Sequence, residues 1–482
     1  MFKFCQLKKV VIAAFAVLMP LPLFAQTVPP APDVPSIVDE NGINLYTGSF
    51  SQNVPLATLK GSGFDVSAKF YTQFRNNGGA GNELEIVAST NLQAGVWSNE
   101  KGTDTGIFWD YTVSTPTATE RFHMDKILGN TYGNFVPKYA TNSTLVGSHH
   151  SGSSGPYDVL TYTGKDGTVA VYENISGTGG NDLYYAPMTI TFPNGVVWTY
   201  HYDSIDRLTS ITNNLGYQYR PYDNHSIINM TQIYCDPTVL DCSSLPSSSW
   251  PSATFSNYSL TATNAEGETI TFTEERDSVA HYFDPNGPAT VISVLEYLEM
   301  TTPEGVTMKV DYALDQSDDY QSFTSIVVTK AGSNWTYTCT ASPDGTCSTM
   351  VVLAPNGEKR TYNFTYEGDL TSLIVDPIGS AANLTTTITY TSDHLVETVT
   401  YPRGNQVKYS YDSVGRVTEV RQIPLSGSSG PAHIVTSYTY DACTTSNKKY
   451  CAKPRTFTNE RGKITKYWYN SYHGGLTKTL YP

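Results

Sequence analysis

Six cysteines give the chain its clearest chemical pattern. Beyond Cys5 they stand at Cys235, Cys242, Cys339, Cys347, Cys443 and Cys451, three local pairs separated by 7, 8 and 8 residues. Structural zinc sites place cysteines two to four residues apart, with a second pair or histidines close by. None of these pairs has that spacing, so disulfides are the better reading. Six cysteines allow fifteen connectivities. Local pairing, 235–242, 339–347 and 443–451, is expected because Cys443 follows Tyr440-Asp441 and Cys339 follows Trp335-Thr336-Tyr337, where hairpins elsewhere in the chain turn. Each such bridge would close an enlarged hairpin tip between two strands, for about 2.5 kcal/mol on a loop-entropy model.

Other reactive groups are weaker. His149-His150-Ser151 lies in a Gly/Ser-rich stretch with no acidic or cysteine partner at ligand spacing, which reads as a solvated loop. Asp315, Asp318 and Asp319 form the densest acidic cluster but lack the order of a calcium loop. No Gly-x-Ser-x-Gly elbow, His-Glu-x-x-His pair or phosphate loop occurs, so no catalytic residue and no cofactor is expected. The 35 tyrosines remain. Aromatic faces stack on sugars, although tyrosine at period two in a repeat more often packs, with its hydroxyl wet or hydrogen-bonded.

The elements that place those tyrosines can be read from Tyr401 to Arg421. Pro402-Arg403-Gly404 is a turn, since proline presets φ and glycine accepts positive φ. Gln406 to Tyr411 then alternates, with Val407, Tyr409 and Tyr411 on one face and Lys408 on the other, a half-buried strand. Asp412 to Gly415 turns back, and Arg416 to Val420 returns. The unit recurs: aromatics fall five and seven residues after Gly195 (Tyr200, Tyr202), Gly357 (Tyr362, Phe364), Gly404 (Tyr409, Tyr411) and Gly462 (Tyr467, Tyr469). Weaker copies follow Gly167, Gly267 and Gly305. Tyr409/Tyr411, Tyr438/Tyr440 and Tyr467/Tyr469 step by 29 residues. A fixed period means stacked supersecondary units that cannot bury their faces alone.

The motif Tyr411-Asp412-x-x-Gly415-Arg416-Val417-Thr418, echoed by Tyr202-Asp203 with Arg207 and by Tyr440-Asp441, resembles the YD repeat of Rhs (rearrangement-hotspot) proteins, a repeat shared with teneurins and the shell components of Tc toxins. The resemblance covers about residues 160–482. Residues 43–70, INLYTGSFSQNVPLATLKGSGFDVSAKF, resemble the segment that opens many Rhs proteins. The resemblance implies a β-sheet ribbon spiralling into a hollow shell, which in bacteria often encloses a C-terminal toxin. It also implies a core-end segment that this chain does not carry; the chain stops at Leu480-Tyr481-Pro482, the start of a turn in the repeat, as a truncated frame or a fragment would.

Composition fits this reading. Only 15% of residues are charged, the formal charge is −14, and Gly numbers 37. Low charge with abundant Tyr, Thr, Ser and Gly is typical of extended β architectures with many turns, and acidity argues against nucleic-acid partners. Lys3, Lys8 and Lys9 precede an apolar run from Val10 to Leu23, broken by Pro20 and Pro22, and Ala25 offers a cleavage site. This reads as a signal peptide over 1–25, too short to span a bilayer, and the mature chain has no spanning segment. Paired cysteines agree with an oxidising compartment, so periplasmic, extracellular or surface residence is expected. Residues 26–40 form a Pro-rich leader, extended or disordered; 41–155 a smaller N-terminal β domain; and 156–482 the repeat region, with Gly/Ser loops at 151–156 and 426–431. The expected fold is all-β, a YD-repeat hairpin array forming a spiralling sheet or partial shell. The expected function is an exported, non-enzymatic part of a shell or surface structure, partnered by further repeats or a toxin encoded downstream. The alternative is an adhesin or carbohydrate-binding module that uses tyrosine-rich faces toward a sugar or receptor.

Overall fold

The computed structural model describes residues 29–482 except 59–62, 64, 77–81, 93, 104–105, 128–130, 133–134, 138–142, 149–157, 165, 175–181, 222–225, 230–250, 257–259, 282–289, 315–322, 343–345, 379–382, 428–432, 445, 448–449 and 472–473. Among the described residues there is no helix, and hence none long and apolar enough to cross a membrane. The fold is all-β and antiparallel throughout, as expected from the alternating pattern.

Three sheets make up the molecule. The first joins β1 (Ser51–Thr58), β2 (Asp65–Asn76) and β3 (Asn82–Thr90) in chain order. Val66, Ala68 and Phe70 of β2 alternate inward, and Phe70 stacks on Phe272 of the third sheet with ring centres 4.2 Å apart.

The second sheet has thirteen strands. It comprises β4 (Gly95–Thr103), β5 (Gly106–Ser114), β6 (Thr119–Ile127), β7 (Thr131–Tyr132), β8 (Val136–Pro137), β9 (Thr144–Ser148), β10 (Val159–Thr163), β11 (Val169–Asn174), β12 (Asp182–Thr191), β13 (Val197–Tyr202), β14 (Leu208–Asn213), β15 (Tyr217–Arg220) and β16 (Ser226–Asn229). From β12 one path runs through β4, β5 and β6 to β8, and another through β11 and β10 to β9; β8 and β9 approach one another, so the sheet nearly closes on itself. Strands from both sides of residue 155 share it, with Tyr185 of β12 opposite both Asn174 and Val96. The border expected near 155 therefore falls inside one sheet, because β4 pairs with a strand more than eighty residues away and no local signal encodes that choice.

The third sheet is an uninterrupted meander of eighteen strands, β17 (Thr254–Ser256) to β34 (Leu476–Leu480), each paired with the next in sequence. In many of its strands one face packs inward at period two. Phe323, Ile326 and Val328 in 323–330 are buried, and so are Tyr409 in 406–411 and Tyr467 in 464–469, whereas Lys408 is exposed.

The leader lies along this sheet. Tyr401 donates to the Asp33 carboxylate at 3.1 Å, Arg360 bonds Glu40 at 3.3 Å, and Tyr46 donates to the carbonyl of Tyr366 at 2.6 Å. Asp33 to Gly48 crosses from the start of Gln406–Tyr411 (β29) to Thr307–Leu314 (β21), where Tyr312 donates to the carbonyl of Gly48. The segment doubles back on the way: Val38 pairs with Asn44 and Leu45 N–H bonds the carbonyl of Ile37, closing a hairpin in which Asp39 accepts from the amides of Asn41 and Ile43. Ile43 and Leu45 of this segment, and Phe50 just after it, are fully buried.

Candidate functional site: the repeat turn and the face it builds

The YD turn is a closed hydrogen-bond device. Asp412 N–H bonds the carbonyl of Arg416, and Gly415 N–H bonds the carbonyl of Asp412. The Asp412 carboxylate accepts from the amides of Val414 and Arg416 at 3.1 and 3.0 Å with one oxygen, and from Arg416 Nε at 2.6 Å with the other. Asp203 repeats this: it accepts from Ile205 N, Arg207 N and Arg207 Nε at 3.0, 3.0 and 2.8 Å. Those bonds, the Arg207 amide first among them, hold the Asp203 carboxyl below the usual range. The left-handed position needs φ near +60 to +90°. Gly415 supplies it at +79°, and Asp206 stands there at +60° in the other copy. The opposite turns have the same backbone pattern, with Gly404 at +87° between Tyr401 and Asn405.

The turns on the YD side, unlike the opposite ones, add a bulge. The ladder slips one residue at His201/Tyr202, Thr389/Tyr390, Ser410/Tyr411 and Trp468/Tyr469. The tyrosine at the slip then spends its hydroxyl on a carbonyl near the start of the neighbouring strand. Tyr202 donates to Pro187, Tyr390 to Leu370, Tyr411 to Val396 and Tyr469 to Pro454, all at 2.6–2.8 Å. Tyr440 does the same to Val417 at 2.8 Å. The sequence pattern shows these tyrosines but not their partners, because each carbonyl belongs to a different hairpin. Burial raises the hydroxyl pKa of Tyr411, Tyr440 and Tyr469, so all three stay protonated donors.

The first tyrosine of each pair packs instead. Tyr409, Tyr438 and Tyr467 are buried, Tyr438 against Phe457 with ring centres 5.3 Å apart. With these rings buried and the second set clamped, the repeat tyrosines do not form an open face.

Tyr440-Asp441 keeps the clamp and loses the turn. The chain continues into a loop closed by Cys443–Cys451, with Cα atoms 5.1 Å apart. Neither cysteine lies in a strand, so the bridge closes the loop itself rather than joining two strands as the sequence reading expected. Arg416 of the preceding turn reaches across to this loop. Its Nη1 donates to the carbonyls of Asp441 at 2.9 Å and Cys451 at 2.7 Å, and its guanidinium sits 4.6 Å from the Tyr440 ring. Cys339–Cys347, with Cα atoms 5.5 Å apart, does join the strands 333–341 and 347–353. Cys235 and Cys242 lie outside the described residues, as do His149-His150 and Asp315, Asp318 and Asp319. Among the described residues no group of three or more His, Cys, Asp or Glu could hold a metal ion.

The leader adds a second kind of site. Tyr337 donates to the Asp39 carboxylate and accepts from Asn41 Nδ2 at 2.8 Å. Burial raises the Asp39 carboxyl above its ordinary value, partly offset by the Tyr337 bond. Burial and the Asp33 carboxylate push Tyr401 up to about 12. Gly48 is obligatory where the leader touches the sheet: a Cβ there would lie 1.9 Å from the Phe323 ring.

Comparison with known proteins follows from this geometry. The RHS repeat family model matches residues 187–218, which contain the Tyr202-Asp203 turn and its clamp to Pro187. No curated protein matches the sequence. Among solved structures, TcdB2-TccC3 is similar at 12% identity over 90% of this chain and 23% of that chain, with a TM-score of 0.31. The Tc holotoxin pore of Photorhabdus luminescens is similar at 11% identity over 84% and 23%, with a TM-score of 0.26. A porin-like protein from Bacteroides uniformis is similar at 12% identity over 68% and 94%, with a TM-score of 0.16. The chain spans about a quarter of the length of the first two. Residues 187–218 thus match the RHS repeat, and the same turn, bulge and clamp are rebuilt at 390–416.

Proposed function

We propose that this protein is exported after removal of residues 1–25 and forms the opening section of a non-enzymatic β wall, with further repeats or a toxin encoded downstream as its partner. The observation that carries this reading is the leader. Together with the hairpin that follows it, this segment bonds four widely separated strands or turns of a sequential meander, at Tyr401, Arg360, Tyr337 and Tyr312. One short segment reaching strands that far apart in the meander supports a curved wall with that segment on its inner face. The wall is tested by electron microscopy of the exported chain, which should show a curved wall with a lumen; a solid particle without one would overturn it. Export is tested by N-terminal sequencing, which should begin at Gln26, and a mature protein that keeps Lys8 and Lys9 would overturn that part.

A further inference from the structure

A cleft of 1160 Å³ opens between the first and second sheets, bordered at one end by the Tyr202–Arg207 turn. One wall is a cross-strand row on β12, β4 and β5: Tyr184 stands opposite Trp97, and Trp97 opposite Thr112. The facing wall is a second row, in which Lys69 of β2 stands opposite Asn53 of β1 and Ser89 of β3. Tyr200 and Tyr202 of β13 also line it.

Three features of the cleft need explaining. Trp97 is 47% exposed, and its ring tilts 42° to Tyr184 with centres 5.3 Å apart, an apolar platform open to solvent. Gly95 makes room for that pair, since a Cβ there would lie 2.7 Å from the Tyr184 ring and 3.1 Å from Trp97. Tyr200 is 4% exposed, and its hydroxyl is buried without a hydrogen-bond partner. A buried hydroxyl left unpaired is destabilising, and burial also holds this one in its protonated form, a donor as well as an acceptor. The remaining polar lining is mostly neutral: Asn53, Ser67, Ser89, Thr112 and Thr119. Three charged residues also line it: Arg207 is bound to Asp203, and the charge of Lys69, which lies over the Tyr71 ring, is balanced by that of Asp206.

We propose that this cleft binds a neutral oligosaccharide. The C–H face of a sugar ring is apolar and stacks on an exposed indole and phenol, while its equatorial hydroxyls reach sideways to short neutral donors and acceptors. The volume exceeds the range of about 300–1,000 Å³ usual for small-molecule sites, which fits a chain of several sugars rather than one. The inference is independent of the wall reading, since it uses none of the leader contacts or the long sheet's inner tyrosines.

The test is isothermal titration of the mature chain with cello-, chito-, malto- and xylo-oligosaccharides of two to six units, and with acidic oligogalacturonates as contrast. At least one neutral series should bind, with affinity rising with length. Trp97→Ala, which removes a half-exposed ring, should weaken that binding at least tenfold. Trp97→Phe, which keeps an aromatic face in the same place, should recover most of the loss, which a merely polar lining would not require. Absence of binding across the neutral panel overturns the proposal. So does binding that Trp97→Ala leaves unchanged, or acidic oligosaccharides binding as tightly as neutral ones.

Discussion

Arg416 and Arg207 occupy the same place in two copies of one motif, yet their removal should have very different consequences. Both donate Nε to the carboxylate four residues earlier. The Arg207 side chain is 66% exposed, so Arg207→Ala removes only a solvent-screened surface ion pair and should change stability little. The Arg416 side chain is 9% exposed and also holds the carbonyls of Asp441 and Cys451 and covers the Tyr440 ring. Arg416→Ala strands one carboxylate and two carbonyls at once. Breaking a buried pair costs about 3–5 kcal/mol. Asp412 keeps two backbone donors, which places the expected loss in the middle, about 4 kcal/mol. A loss of that size is more than a hundredfold in an opening equilibrium. Repeat arrays need not unfold in two states, so the assay is hydrogen exchange read locally. Arg416→Ala should release protection across Asp441–Arg455 as well as its own turn, and Arg207→Ala only around 203–208. Arg416→Lys keeps the charge but loses the fork and should recover less than half of the loss. If the two alanine variants open their regions within 1 kcal/mol of each other, Arg416 does not anchor the disulfide loop.

Three other outcomes follow from local geometry. Gly415→Ala and Gly357→Ala both place a side chain at positive φ, for about 1 kcal/mol each, but a Cβ at Gly415 would also lie 2.8 Å from Pro137 while Gly357 has open space. Urea unfolding should show Gly415→Ala worse by a further 1–2 kcal/mol or so, and equal losses would mean that the 137 contact is absent. Tyr409→Ala should cost about 3 kcal/mol and Lys408→Ala less than about 0.5, since the first ring is buried and the second side chain is exposed; comparable values would reverse the faces of Gln406–Tyr411. Asp39 has a folded pKa above the ordinary 3.8, so the folded state holds its proton more tightly than the unfolded state does. Its contribution to stability therefore improves as pH falls through the folded value toward 3.8, and the penalty on its charged form is complete above the folded value. The stability of wild type relative to Asp39→Asn, followed by urea unfolding from pH 6 to 4, should rise with acid, and a fall would contradict the burial assigned to it.

Features encoded by a few neighbouring residues were the legible ones. Gly195, Gly357, Gly404 and Gly462 all take positive φ because the turn between two strands demands it at that residue, and period-two burial follows from the pleat. His394, at +60° in the turn 391–395, was invisible because nothing in its side chain marks a left-handed position. The local cysteine pairs could be read at a separation of 8, but nothing in the spacing marks that Cys443–Cys451 leaves the strands. Distance in sequence sets the limit. Tyr337 lies 296 residues from Asn41, Tyr366 lies 320 from Tyr46, and Tyr401 lies 368 from Asp33. A Pro-rich leader announces only that it is extended, and which surface it crosses is decided by the curvature of a sheet folded from the other end of the chain. Trp97 shows the same limit from the other side. Alternation places it on a strand, but its exposure comes from a gap between two sheets that no window of residues spans. Residues that act between hairpins, Arg416 and the clamping tyrosines above all, therefore have to be found by asking where each buried carbonyl finds its donor.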